Sequence, residues 1–174
     1  MKLFKQKNNK KVKMGRTLEG TIFEVSFAVL AILLWGFISW LSGQAPSTIA
    51  IHFDLQGNPN GWGTPGHILF TCGITTIVGI AMMVFAYFPH MVNLPVEVRN
   101  FRQYTLVSRM TRIMAIEILL LTLCMALTTL GSGIGWNIPA EVLILSTVGV
   151  IIATTIIPYK PKITDKILPK VVVA

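Results

Sequence analysis

Charge is what this chain most conspicuously lacks. Only 13% of its 174 residues are Asp, Glu, Lys or Arg, against about 25% in an ordinary soluble domain. With 53% hydrophobic residues and a mean hydropathy of +0.67, the composition fits a lipid bilayer better than water. Cysteine is scarce as well. Cys72 and Cys124 fall in different apolar stretches and form no Cys-x-x-Cys pair. That argues against a disulfide framework or a thiolate metal centre and leaves two small packing residues. Catalytic signatures are missing: there is no Gly-x-Ser-x-Gly, no His-Glu-x-x-His and no phosphate-cradling glycine loop. Nothing in the pattern asks for catalysis or for a cofactor. Without internal repeats, low-complexity tracts or a linker, residues 1–174 read as a single integral membrane domain.

Four apolar runs are present: Val25–Leu41, Ile68–Phe88, Ile113–Leu130 and Ile138–Pro158. Each comes close to the roughly 20 residues a spanning helix needs. The expected fold is therefore an all-α membrane protein with four transmembrane helices, an outer loop over 42–67 and an inner loop over 89–112. Basic residues set the orientation. Lys2, Lys5, Lys7, Lys10, Lys11, Lys13 and Arg16 precede the first run, Arg99, Arg102, Arg109 and Arg112 separate the second and third, and Lys160, Lys162, Lys166 and Lys170 follow the fourth. The other two loops, Ser42–His67 and Gly131–Asn137, hold no Lys or Arg. By the positive-inside rule both termini are expected in the cytoplasm, with the multi-pass chain in the cell membrane and the 42–67 loop outside. The excess of +8 then serves anionic lipids of the inner leaflet rather than nucleic acid.

Aromatic placement agrees, with Trp40, Trp62 and Trp136 on the outer side and Tyr87 and Tyr159 at inner ends. The first run is too long, and its Gly43-Gln44-Ala45-Pro46 exit too unfavourable, for a cleaved signal peptide, so an uncleaved anchor is expected. Residues 1–20 read as basic, polar and mobile. Gly73, Thr75, Thr76, Gly79 and Ala81, and likewise Ser146, Gly149 and Ala153, are small enough to let another helix approach. In the inner loop, Pro89 and Pro95 bracket an irregular stretch. A helix after Pro95, with Val98, Phe101 and Thr105 on one side, is expected to lie at the headgroup surface before the third span.

The outer stretch Pro46–Gly63 carries the candidate site. Ile49, Ile51, Phe53 and Leu55 alternate with Ala50, His52 and Asp54, which predicts an extended segment with one apolar face and His52 beside Asp54 on the polar one. Asn58-Pro59-Asn60-Gly61 is turn chemistry. His52, Phe53, Asp54, Gly57, Asn58, Asn60, Gly61 and Trp62 form the expected ligand-binding set, with Trp62 as the aromatic anchor. His52, Asp54, His67 and Glu141 match a divalent metal in ligand type but not in spacing. His67 also fits as a snorkelling residue, and Glu141 as a helix cap. Glu117 is the one carboxylate well inside a span. It is expected to face the protein interior with Arg109, Arg112, His90 or Asn93 as partner, as a structural ion pair, as a protonated Glu near the interface, or in a proton-relay or ligand-binding role.

Pro46-x-x-Ile49-x-Ile51-His52-Phe53, followed by Gly57, Asn60, Gly61, Trp62 and Gly63, resembles the signature of a bacterial membrane domain of unknown function. That domain forms the N-terminal part of SdpI-like toxin-immunity and signalling proteins. Asn93, Pro95, Asn100 and Arg102 are similar to some relatives. The family pattern often has Pro where this chain has Ala50, and Lys where it has Thr64-Pro65-Gly66. The six spans and the Gly-Tyr-Arg-Thr-like motif of longer members have no counterpart here. The resemblance implies a membrane protein with the same outer loop. The loop residues point to a protein that captures a peptide toxin, lipid or other ligand there, in an immunity or signalling role, or else to a loop that only stabilises the bundle. The alternative is a metal-dependent or proton-coupled enzyme or transporter using His52, Asp54, Glu141 and Glu117.

Overall fold

A computed structural model of the chain describes residues 13–54, 56–92, 101–136, 145, 148–150 and 152. In chain order these form helix α1 (Leu18–Gln44), strand β1 (Ile49–Phe53), strand β2 (Pro59–Gly63), helix α2 (Pro65–Phe85), a single 3₁₀ turn (Pro89–Met91) and helix α3 (Phe101–Ala126). A π-helical turn over Leu127–Gly131 closes α3. Among the described residues, three helices are long and apolar enough to cross a membrane: Leu18–Gln44, Pro65–Phe85 and Arg102–Gly131. Of the fourth expected span, Leu145, Val148, Gly149, Val150 and Ile152 are described, and they are helical and exposed. The rest of Ile138–Pro158 lies outside the described residues, as does Glu141.

Helix α1 begins seven residues before the expected span. Thr17 caps it, its Oγ1 accepting from the Gly20 N–H at 3.0 Å. The preceding residues are placed as well: Met14 is buried, and its N–H reaches the Tyr87 carbonyl at 2.9 Å. Lys13–Thr17 thus straps the start of α1 to the end of α2. Helix α2 also starts early, at Pro65, where the missing proline N–H falls at a position that has no intrahelical acceptor.

Helix α3 departs most from expectation. Instead of a surface helix turning into a span at Ile113, one helix runs unbroken from Phe101, about 40 Å for its 26 residues. The reason is its buried stripe. Tyr104, Ser108, Thr111, Arg112, Ala115, Leu119, Thr122, Ala126 and Leu130 recur at helical spacing and are all buried. The face that packs in the apolar half continues into the basic half through small and polar residues.

Both α1 and α2 lie against α3. Gly79 of α2 sits where a Cβ would come within 3.0 Å of the Phe27 ring and 3.4 Å of the Ala115 carbonyl, so it permits the close approach of all three helices. Polar ties fix the register. Trp35 Nε1–H donates to Thr76 Oγ1 at 3.1 Å, Thr122 and Thr75 hydroxyls meet at 2.8 Å, and Ser108 Oγ–H donates to the Ala86 carbonyl at 2.6 Å. Where no water competes, such bonds add to the packing between helices, averaging about 0.6 kcal/mol each in measured cases. Not every small residue packs: a Cβ on Gly73 would meet nothing within 4 Å.

The two positions separate cleanly in a stability measurement. Gly79→Leu is expected to destabilise the bundle by about 1–3 kcal/mol through overpacking. Gly73→Ala should be neutral or add up to about 1 kcal/mol from helix propensity. Unfolding of the purified variants in mixed micelles checks both, and equal losses would refute the packing described.

Candidate functional site

The strands β1 and β2 form an antiparallel hairpin across the end of the bundle opposite Lys13, Arg16 and the arginines of α3, with Ile49 opposite Gly63, Ala50 opposite Trp62, His52 opposite Gly61 and Phe53 opposite Pro59. Ile49, 1% exposed, anchors it. Its Cγ2 lies 2.8 Å from where a Cβ on Gly133 would be, so the glycine just past the π turn leaves the seat that Ile49 fills. Burial of such a side chain is worth about 1.5–3 kcal/mol. Gly135, at φ +85°, then reverses the chain and lets Trp136 return to the α1 face. There Trp136 stacks with Phe37, while Trp40 stacks on the same ring. Two of the three tryptophans expected on the outer side, Trp40 and Trp136, thus form a physical cluster with Phe37 at the hairpin end.

The expected alternation in β1 holds only in part. Ile49 and Ala50 are both buried, and exposure begins with His52. Register shifts between Ala50 and His52 and between His52 and Phe53 break the two-residue period, as bulges do. Leu55 lies outside the described residues. The same irregularity separates His52 from Asp54. His52 Nδ1 is hydrogen-bonded across the ribbon to Asn60 Oδ1, with Gly61 opposite. A Cβ on Gly61 would approach His52 Cβ at 2.8 Å, so only glycine fits there.

Asp54 instead builds the turn. Its Oδ1 accepts from the Gln56 N–H at 3.0 Å and the Asn58 N–H at 2.8 Å, and its Oδ2 accepts from Asn58 Nδ2 at 3.3 Å. Gly57, at φ +82°, takes the left-handed position that this closure needs. Donation from the Asn58 backbone, followed by the Asn58 side chain and the Gln56 and Gly57 N–H groups, holds the Asp54 carboxyl below its ordinary pKa. Of the eight expected binding residues, Asp54, Asn58 and Gly57 therefore serve the loop itself. Trp62, on the outer strand and 63% exposed, stays available.

His67 stands apart, in the first turn of α2, where its Nδ1 shares a 3.1 Å hydrogen bond with Thr64 Oγ1. Among the described residues no three His, Cys, Asp or Glu side chains come together as metal ligands. Glu117 is buried within α3, 6% exposed, as expected of an intramembrane carboxylate. Two of its expected partners are engaged elsewhere: Arg109 with Glu19 at 2.9 Å, and Arg112 with Ser108 at 2.9 Å. Asn93 lies outside the described residues. Sequence spacing gave no signal for the Glu19–Arg109 pair, because the two are distant in the chain and meet only where α1 crosses α3.

A family model described as a domain of unknown function, DUF1648, matches residues 29–76. The matched stretch covers less than a third of the chain: the second half of α1, the hairpin and the first half of α2. No curated protein and no solved structure matches the chain.

The lowered Asp54 pKa fixes the sign of a pH effect. Its contribution to hairpin order is fully present above the ordinary aspartate value of about 3.9 and is lost as pH falls through the depressed folded value. Protease accessibility of the 54–58 turn, followed on acidification, should rise in that window, whereas Asp54→Asn should show high accessibility at every pH. A wild-type profile that coincides with the variant would refute the assignment.

Proposed function

We propose that this chain is an integral membrane binding protein of the SdpI-like type, which recognises a peptide or lipid ligand at the outer face through the β1–β2 hairpin, in an immunity or signalling role. The observation that carries the reading is Trp62. It is a large apolar ring left 63% exposed on a ribbon held rigid by the Asp54 turn and seated by Ile49. A soluble-facing loop has no packing reason to display it, and a preorganised aromatic loses little freedom on binding a partner. The family match supports the reading by treating the hairpin and its flanking helices as one domain. Orientation follows from charge. Lys13, Arg16, Arg102, Arg109 and Arg112, the described basic residues, all lie toward the end opposite the hairpin, which the positive-inside rule assigns to the cytoplasm. This reading gives Asp54, Gly57 and Asn58 a supporting role and leaves contact to Trp62, Phe53 and the His52–Asn60 edge.

The alternative, a metal-dependent or proton-coupled enzyme or transporter using His52, Asp54, Glu141 and Glu117, needs His52 and Asp54 to converge, and their separate hydrogen-bond partners weigh against it.

A photo-crosslinker placed at position 62 of the full chain in cells should yield a discrete adduct that Asp54→Ala reduces by loosening the ribbon. The same crosslinker at Ile77, exposed on α2, serves as the membrane control. Identical products from the two positions would show that Trp62 meets bulk lipid alone. Elemental analysis decides the alternative: a stoichiometric metal lost in His52→Ala would replace the binding reading.

A further inference from the structure

At the end of the bundle opposite the hairpin, Arg112 is buried, 6% exposed, yet among the described residues no carboxylate is hydrogen-bonded to it. Its Nη1 donates to Ser108 Oγ at 2.9 Å, and its guanidinium lies 5.1 Å from the centre of the Tyr87 ring. Nε and Nη2 have no hydrogen-bond partner among the described residues. Both nearby acids are occupied: Glu19 is held by two nitrogens of Arg109, and Glu24 accepts from the Tyr87 hydroxyl. A buried guanidinium with two idle donors is strongly unfavourable unless an acceptor is supplied.

The idle side chain points at the first turn of α1. Nη2 lies 2.9 Å from where a Cβ on Gly20 would be, and Thr17 Oγ1 lies 3.2 Å from that same point. The open end of a 27-residue helix therefore faces the same spot. Its Gly20 N–H goes to Thr17 Oγ1 and its Thr21 N–H to the Thr17 carbonyl, and the N–H groups of Leu18 and Glu19 have no acceptor among the described residues. Exposed Lys13 and Arg16 flank the turn. Leu18, Ile22 and Val25, all more than half exposed, descend from it and give α1 an apolar face that begins at this turn.

We propose that Thr17–Gly20 and Arg112 form a stoichiometric site for the phosphate of an acidic phospholipid. The phosphate oxygens cap the free N–H groups of α1 and, where one takes the place of the Thr17 hydroxyl, reach Nη2 across the bare Gly20. The acyl chains run along Leu18, Ile22 and Val25. Helix dipole and guanidinium both favour an anion at this point. A lipid is the source because the turn sits where the apolar face of α1 begins. The site stands at the far end from the hairpin and does not depend on the ligand proposed there.

Native mass spectrometry of the full-length protein in non-ionic detergent, titrated with phosphatidylglycerol and with phosphatidylcholine of the same chains, tests this. One phosphatidylglycerol per chain should bind in preference. Affinity should fall by about tenfold or more in Arg112→Gln, as expected for loss of a charge-assisted contact, and stay unchanged in Arg102→Gln, which alters an exposed arginine of the same helix. Should Arg112→Gln fail to fold, Gly20→Ala decides, since its Cβ displaces the guanidinium while strengthening the helix. No headgroup preference, or undiminished binding in Gly20→Ala, would overturn the site. So would inorganic phosphate raising the melting temperature as much as phosphatidylglycerol does, because the anion would then come from solution.

Discussion

Close approach to α3 is the constraint on which the rest of this structure depends. Three glycines make it possible at three heights. Gly20 admits the Arg112 guanidinium beside α1, Gly79 lets α2 approach the Ala115 carbonyl with Phe27 of α1 against it, and Gly133 seats Ile49 of the hairpin. At Gly79 and Gly133 a side chain larger than hydrogen would press on the packed Phe27 and Ile49 side chains, and at Gly20 it would displace the guanidinium. Lipid tails are as apolar as Leu and Ile, so burying apolar surface gives these helices little reason to associate. Tight van der Waals contact and a few interhelical hydrogen bonds supply the specificity instead.

The two ends of the bundle use polar groups in opposite ways. At the hairpin end they satisfy one another: Asp54 with its own turn, His52 with Asn60, His67 with Thr64. The result is a rigid ribbon on which Trp62 is left over. At the basic end the balance is incomplete, since Arg112 keeps idle donors while Glu19 and Glu24 are bound to other groups. A self-satisfied hairpin suits recognition by an exposed ring. An unsatisfied cation beside a helix N-terminus suits an anion from the membrane. The two ends thus differ by the same accounting of donors and acceptors.

Much of the architecture was legible along the chain. Long apolar runs identified the three described spans, because length and hydropathy are local properties that lipid reads directly. A turn in this loop was legible for an equally local reason, backbone freedom, but it closes between Asp54 and Asn58, and Pro59, Asn60 and Gly61 of the expected turn belong to strand β2. Boundaries were less visible. Helix α3 reached back to Phe101 because Ser108, Thr111 and Arg112 pack like core residues, and nothing in their composition shows that neighbours will cover them. The β1 face was misread at Ala50, since strict alternation presumes a regular ladder and this hairpin carries register shifts. His52 and Asp54 looked like a pair for the same reason.

By itself the sequence determined the environment, the number of apolar runs, the segregation of basic charge to one side and the presence of a structured loop after the first span. Each follows from composition within a short window. Only the tertiary structure decided which polar groups bond to one another inside the protein and which are left without a partner among the described residues. It set Asp54 apart from His52, gave Glu19 to Arg109, left Arg112 with Tyr87 and Ser108, and exposed Trp62. Partnership depends on which helices cross and at what height, and that is fixed by contacts between residues far apart in the chain.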